Sequence, residues 1–358
     1  MKKILHIVGT RPNYVKAAPV IAQIKHSNKY KQVCVNTGQH RDDIMSTSIM
    51  DSLDMDPPDI SFSLKEKDDV FLRFGEIASK LAFVVEQAAP DLVIVYGDVD
   101  SALAGAVVSS RLGVKLAHVE SGLRSFDRSM PEENNRILID QLATVHFVTE
   151  LAGLSNLVQE GHKESIDFVG NTMIDSLKKL QSSMKLRDKI KKQILLTCHR
   201  PSNVDNIHFF EELYTVCKAL PFSILWPIHP RTKNNLNSFN LLQLFESLDN
   251  MNIVSPMNYS NFLKTMSNSA VVITDSGGVQ EETTFLNVPC LTIRDNTERP
   301  ITVDKGSNTI TLLSSIKKWI ELIENGSYKN SQNILKWDGN AAERIFLKVD
   351  KLLYDNLY

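Results

Sequence analysis

Cysteine is scarce. The four present, Cys34, Cys198, Cys217 and Cys290, stand far apart with no CxxC pair, which excludes a zinc knuckle or a disulfide framework and points to a reducing, cytoplasmic setting. No apolar run approaches the roughly 18 residues of a membrane-spanning helix. The N-terminal MKKILHIVGTRP has an apolar run of about five residues, too short for a signal-peptide core, and is expected to be a buried first strand. Neither sign of charge is in excess. The 40 Lys and Arg against 42 Asp and Glu leave −2 at pH 7, which argues against a protein that coats nucleic acid or an anionic membrane but leaves room for a local basic pocket. The first strand-like run does not end in GxGxxG, which weakens the case for a nicotinamide redox cofactor, and without GxxxxGK[ST] the usual ATP hydrolysis is not expected. HxH and HExxH spacings are missing, and the acidic residues fall on different strands, so no metal is expected. Low-complexity tracts and short repeats are also missing.

What the chain does contain is short β-branched runs, each followed by a polar or glycine-bearing turn and then a segment of helical periodicity. That is the pattern of repeated βαβ units around a parallel sheet. In the first half, strands are predicted near 2–8, 32–38, 91–98, 115–120 and 144–149, with helices near 15–28, 41–53, 69–89, 101–112 and 132–142. After the strand-like SIDFVGN at 165–171 and a further helix, the charged SSMKLRDKIKK reads as solvated. The pattern then restarts, with strands near 193–200, 223–230, 252–256, 270–278 and 288–294. A chain of 358 residues is about two domains long. The fold class expected is α/β, as two doubly wound, Rossmann-like parallel-sheet domains spanning 1–170 and 171–338. A last helix within 339–358, with Ile345, Phe346, Val349 and Leu352 at core-like spacing, is expected to pack back on the first domain.

Open parallel sheets bind ligands beyond the carboxyl ends of their strands, and here those positions are loaded. GTRPNYVK, GDVDS, HVESGLRSFDRSMPEENNR, CHRPSN, PIHPRT, TDSGGVQEE and RDNTERP all fall there, and so many on one face are poorly explained as ordinary capped turns. Ser276, Gly277 and Gly278 open a helix whose N–H groups suit a diphosphate, and Glu282, one turn on, suits a ribose hydroxyl pair. The same residues also suit a plain Ser cap with acidic helix decoration. Arg11 and Lys16 suit a phosphate or are surface charges. Asp98, Asp100, Glu120, Glu132 and Glu133 are acid and base candidates, one of the last two being helix-start decoration. His199 and His229 end two strands, and a purely structural role for them is weakened by Arg200 and Arg231 close behind.

Together with TGQH and FVGNTMID, these motifs in unbroken order from the first strand to about residue 305 resemble the non-hydrolysing UDP-N-acetylglucosamine 2-epimerases. The resemblance implies a glycosyltransferase-B type fold with the active site in the interdomain cleft. It also implies reversible inversion at C2, from UDP-N-acetylglucosamine to UDP-N-acetylmannosamine, through elimination and re-addition of UDP via 2-acetamidoglucal. No cofactor is implied. By matched motif, Asp98, Glu120 and Glu132 would be the catalytic carboxylates, with His199 by the diphosphate and sugar. Arg11, Lys16 and Arg299 would face diphosphate and sugar, Ser276, Gly277 and Gly278 would cradle phosphates, and Glu282 would hold the ribose. Met257 and Phe262, within PMNYSNFL, would lie around the uracil, although Phe262 also suits a helix core.

The chain departs from the family pattern at Asn13, Ser121, Ser202 and Ile301, where Glu, Ala, Glu and Glu are usual. Since Pro201 and Ser202 adjoin His199, a diacetamido or uronic acid UDP-sugar is an alternative substrate. A hydrolysing relative is another reading, disfavoured by Pro12 and Asn13. Some members bind a second UDP-N-acetylglucosamine as activator, in a site that would draw on Gln39 and His229, but Asp42 departs from the residues usual there. A homodimer acting on a UDP-sugar is expected, with no nucleic-acid or membrane partner.

Overall fold

The computed structural model describes residues 1–39, 43–65, 69–183 and 192–354. Asp42 and most of the stretch read as solvated lie outside these. The chain forms two units, Met1–Leu180 with Leu335–Tyr358, and Gln181–Ile334. Among the described residues no helix is long and apolar enough to cross a membrane.

The first unit is a wholly parallel sheet of β1 (Lys3–Val8), β2 (Lys31–Asn36), β3 (Ile60–Ser61), β4 (Leu92–Tyr96), β5 (Lys115–Ser121), β6 (Val145–Val148) and β7 (Ile166–Phe168), in the order β3-β2-β1-β4-β5-β6-β7. Every residue of β4, LVIVY, is buried, as expected of a strand covered by helices on both faces. Leu5, Ile7, Val93 and Val95 form a core with Ile77, Leu81 and Val85 from the helix Val70–Ala88. The order of strands reverses between β1 and β4, which makes the ends of those two strands the crevice of this sheet.

The second unit repeats the plan with β8 (Gln193–Thr197), β9 (Ser223–Pro227), β10 (Met251–Val254), β11 (Val271–Thr274), β12 (Cys290–Ile293) and β13 (Asn308–Thr311), ordered β10-β9-β8-β11-β12-β13 and again parallel. Its core is more aromatic, with Phe210, Phe222, Trp226 and Phe245 wholly buried. Its reversal lies between β8 and β11.

The two sheets agree with the doubly wound expectation, and the differences have local causes. The strands β3 and β13 are additions. β3 is only two residues long, and β13 (NTIT) has a single apolar residue, with Asn308 used inside the protein. The Asn308 amide donates to Gln280 Oε1 at 3.0 Å and Thr302 Oγ1 at 3.1 Å, while its oxygen accepts from Thr292 at 2.6 Å. The expected strand 270–278 stops at Thr274 because Asp275 is a loop cap. The first helix begins at Arg11 rather than near 15, since Asn13 closes its first turn: the N–H groups of Gly9 and Thr10 donate to Asn13 Oδ1 at 3.1 and 3.0 Å.

The final helix, Ala341–Tyr354, belongs to the first unit. Gly170, at φ +91, allows the returning chain to pass, because a Cβ there would sit 2.2 Å from the Lys336 carbonyl oxygen. Asp175 then caps the helix from a distance, accepting from the N–H groups of Ala341 and Ala342 at 3.2 and 2.7 Å. Burial outweighs those bonds and pushes its carboxyl up to about 6. Ile345, Val349 and Leu353 are the buried stripe. Leu353 thus replaces Leu352, because the helical period places the third member eight residues after the first.

Candidate active site

Asp98 and Glu120 follow or end β4 and β5, which are hydrogen-bonded neighbours. Asp98 Oδ2 pairs with Arg136 Nη2 at 2.5 Å, and its backbone oxygen accepts from the Asn135 amide at 2.9 Å. Its side chain keeps 21% exposure. Arg136 also bonds Glu133 Oε2 at 3.1 Å. The Glu133 carboxylate is buried and accepts from Ser125 N–H, Ser125 Oγ and Phe126 N–H at 2.9, 3.0 and 2.9 Å. Of the adjacent glutamates, Glu133 is therefore the one committed to shaping the loop after β5. Glu132 stands exposed on the first turn of the helix Pro131–Leu142.

Glu120 is buried, and the Lys16 ammonium is in close ion contact with its Oε2. Its backbone has φ +76, the left-handed region that residues with a Cβ seldom occupy. The pairing of β5 with β6 slips at the same point, between Val119 and Ser121, as at a β-bulge. Gly97, at φ +64, lies beside the same lysine: a Cβ there would come within 3.0 Å of Lys16 Nζ. Asn13 is tied to this turn as well, since its amide donates to the Tyr96 carbonyl at 2.7 Å. Its departure from the family pattern thus has a structural use, because a carboxylate could accept from Gly9 and Thr10 but could not donate to Tyr96. Arg11, half-buried, is the first residue of its helix. Gln39 is held by Ser101, whose N–H and hydroxyl donate to its Oε1 at 2.9 and 2.5 Å.

In the second unit, Asp275 organises the crevice. Wholly buried, it accepts from the N–H groups of His199 (3.0 Å) and Arg200 (2.9 Å) and from the Asn203 amide (3.2 Å). His199 is thereby presented with 38% of its side chain exposed, its ring centroid 5.4 Å from that of His229. His229 caps the helix Pro230–Ser238, its Nδ1 accepting from Arg231 N–H at 3.2 Å. Ser276 is the N-cap residue of the helix Gly277–Leu286, whose early N–H groups offer an anion site, with Gly278 in its first turn. Beside Gly277 the near neighbours are protein: a Cβ would meet Glu298 Oε1 at 2.6 Å and Arg299 Nη1 at 2.7 Å. Arg299 Nε lies 2.9 Å from Glu281 Oε2, and its Nη1 is in close ion contact with Glu298. Glu298 also pairs with Arg294 at 2.8 Å, so buried guanidinium charge is balanced by buried carboxylates. Glu282 accepts from the Tyr259 hydroxyl at 2.8 Å. Phe262 is buried in the helix Tyr259–Asn268, and Met257, half-buried, lies 3.7 Å by its sulfur from Thr265 Oγ1. Among the described residues no three His, Cys, Asp or Glu side chains are grouped as a metal site would group them.

Sequence reasoning passed over Asn13, Glu133, Arg136, Asp275, Tyr259, Glu281 and Glu298 as organisers of this chemistry. All but Tyr259 stand in the quoted strand-end motifs. What hid them is that their partners lie across the fold, as with Asp275 and His199.

A family model described as UDP-N-acetylglucosamine 2-epimerase matches residues 22–349. The UDP-N-acetylglucosamine 2-epimerase of Methanococcus maripaludis is 38% identical over 366 residues, covering 96% of this chain and 97% of that protein. The UDP-2,3-diacetamido-2,3-dideoxy-D-glucuronate 2-epimerase of Pseudomonas aeruginosa is 33% identical, covering 86% of this chain and 88% of its own. The crystal structure of Methanocaldococcus jannaschii UDP-GlcNAc 2-epimerase in complex with UDP-GlcNAc and UDP resembles this fold with a TM-score of 0.88 and 34% identity, over 98% of this chain and 99% of that one.

Proposed function

Since the chain belongs to the UDP-N-acetylglucosamine 2-epimerase family, we propose that it interconverts UDP-N-acetylglucosamine and UDP-N-acetylmannosamine by eliminating and re-adding UDP. The observation that carries this reading is Asp98 and Glu120, two carboxylates at the ends of adjacent strands, each ion-paired with its own cation. Inversion at C2 needs proton transfer on both faces of one carbon, and one carboxylate cannot serve both. A carboxylate takes the C2 proton, the C–H electrons form the C1–C2 double bond, and the C1–O bond breaks with its electron pair leaving on the diphosphate. UDP then adds back to C1 of the 2-acetamidoglucal while C2 is protonated from the opposite face. Nothing is oxidised overall, so the reading calls for no redox cofactor. Glu132, exposed on its helix start, is the third carboxylate in this scheme.

The departing diphosphate gains negative charge, which positive groups and helix N–H groups stabilise. In this reading Ser276, Gly277, Gly278 and Arg299 are diphosphate ligands with His199 near them, Arg11 is a further candidate for diphosphate or sugar, and Lys16 holds Glu120. Glu282 would exchange the Tyr259 hydroxyl for the ribose, with Met257 and Phe262 at the base. A diacetamido uronate sugar is a second substrate reading, favoured by exposed Pro201 and Ser202 beside His199 and by the Pseudomonas relative. Four cysteines, all buried and unpaired, support a reducing cytoplasm as the place of the reaction.

Proton NMR of the enzyme with UDP-N-acetylglucosamine in D2O and no added cofactor tests the activity. UDP-N-acetylmannosamine should grow in with deuterium at C2. Free N-acetylmannosamine and UDP would instead place the chain with hydrolysing enzymes, and turnover of the diacetamido uronate alone would move the substrate.

The proposed homodimer is supported by the helix Val70–Ala88, which exposes Phe71 (87%), Leu72 (56%) and Phe83 (64%), apolar side chains that an interface would take out of water. Light scattering should give twice the 40.3 kDa chain mass, and Phe71→Glu with Phe83→Glu should return it to one chain. A single-chain mass for the unmodified protein would overturn the dimer.

A further inference from the structure

His118 lies on β5 with its ring wholly buried. Its Nε2 is 2.9 Å from the Gly97 carbonyl oxygen and its Nδ1 is 2.6 Å from Asp140 Oδ1. A carbonyl only accepts, and so does an ionised carboxylate. Asp140 is kept ionised by its other partners. The Ser121 hydroxyl donates to Oδ1 at 2.5 Å, Gly122 N–H donates to Oδ2 at 3.0 Å, and Arg124 Nη2 lies 2.8 Å from Oδ2. Burial alone would raise this carboxyl, but the Arg124 charge and the Ser121 hydroxyl oppose that and favour the carboxylate. A neutral imidazole has one N–H and one lone pair, so it would turn a lone pair toward one of two buried acceptors. The imidazolium satisfies both.

One acceptor, the Gly97 carbonyl, lies in the turn that carries Asp98, and the other, Asp140 of the helix Pro131–Leu142, is bonded to the residues that follow Glu120. Gly97 immediately precedes Asp98, and its own N–H donates to the Val119 carbonyl at 2.9 Å. Ser121 and Gly122, bonded to Asp140, immediately follow Glu120 with its left-handed backbone. Such a conformation persists only where the surroundings over-determine it. Here the bonds close a ring from Gly97 through His118 and Asp140 to Ser121. Ser121, where the family pattern has Ala, adds one bond to that ring.

We infer that His118 is a doubly protonated positioning residue, an imidazolium clamp that fixes the Asp98 turn and the Glu120 backbone relative to each other. The clamp follows from hydrogen-bond geometry, and only its kinetic consequence rests on the epimerase reading. The charged and titratable groups facing it are Asp140, Arg124, His146, whose Nε2 donates to the Asp140 carbonyl at 2.9 Å, and the Lys16–Glu120 pair beyond Gly97.

Proton-detected nitrogen NMR of the full-length enzyme at neutral pH reads the clamp directly, with His118→Gln assigning the signals. Two slowly exchanging ring N–H resonances from His118 are expected, and a single one would overturn the inference. His118→Gln should lower kcat about 100-fold, the scale of a misplacement near 1 Å, while KM and the Kd for UDP stay within about threefold. An unchanged kcat, or a raised KM at unchanged kcat, would also overturn it. Should His118→Gln fail to fold, Ser121→Ala removes one bond of the ring and should lower kcat several-fold at constant KM, with no loss counting against the clamp. Failure of the wild-type enzyme to turn over any UDP-sugar would remove the epimerase reading and leave the ring measurement to decide the charge.

Discussion

Asp98→Asn is expected to reduce kcat for epimerisation by about a thousandfold, within the range of about 10²–10⁴ that a positioned acid or base contributes, while KM changes little. The asparagine has the same shape and keeps an oxygen toward Arg136, which retains Glu133 at 3.1 Å as a second partner, so the turn should survive. What disappears is the capacity to take a proton from C2. Because Asp98 is partly exposed and Arg136 holds it in place, the loss should fall on chemistry more than on binding. Initial rates in both directions, with exchange of the C2 hydrogen against D2O, provide the check. A kcat within tenfold of wild type would remove Asp98 from proton transfer and leave it as an organiser of the β4 turn.

The second large effect is on stability. Lys16→Met keeps an apolar stem of similar length but removes the ammonium from the buried Glu120 carboxylate. Leaving one member of a buried pair uncompensated typically costs about 3–5 kcal/mol. Glu120 also sits at a bulge with a left-handed backbone, so there is little freedom to turn the charge toward water. Combining Lys16→Met with Glu120→Gln removes both charges and should recover most of the loss. The two singles and the double then form a cycle whose coupling term measures the pair. Denaturant unfolding, followed through the transition of the first unit, is the measurement, since a two-unit chain need not unfold in one step. A single variant within about 1 kcal/mol of wild type would mean that the remaining surroundings of Glu120, or uptake of a proton, compensate for the lost ammonium, against this expectation. Both Lys16→Met forms should be poor enzymes whatever their stability, because Glu120 loses either its position or its charge.

Much of this protein is written along the chain. Runs such as LVIVY and QILLT, with glycine or polar turns after them, signalled parallel strands, because burial on both faces demands apolar residues at successive positions. The strand-end motifs named the family and most of the residues in the two crevices. Strand ends were less legible. TDSGG reads as a continuation of β11, but Asp275 leaves the strand to bond the backbone at His199 and Arg200, which are 76 and 75 positions away. Polar β13 escaped for a related reason, since its Asn308 is satisfied by Gln280 and Thr302, which periodicity cannot see.

The choice between neighbouring residues belongs to the tertiary structure. Glu132 and Glu133 are equivalent as helix-start carboxylates, yet Glu133 is drawn inward by the N–H groups of Ser125 and Phe126, and Glu132 is left outside. Lys16 read as a phosphate ligand, with a surface charge as the alternative, and the fold pairs it with Glu120. His118 carries no signal in its local sequence. Its two acceptors come from the end of β4 and from the helix Pro131–Leu142. Sequence determines which groups are available and the periods that place them at strand ends. Charge state, strain and partnership depend on distances of about 3 Å between segments far apart along the chain, and only the packed fold brings those segments together.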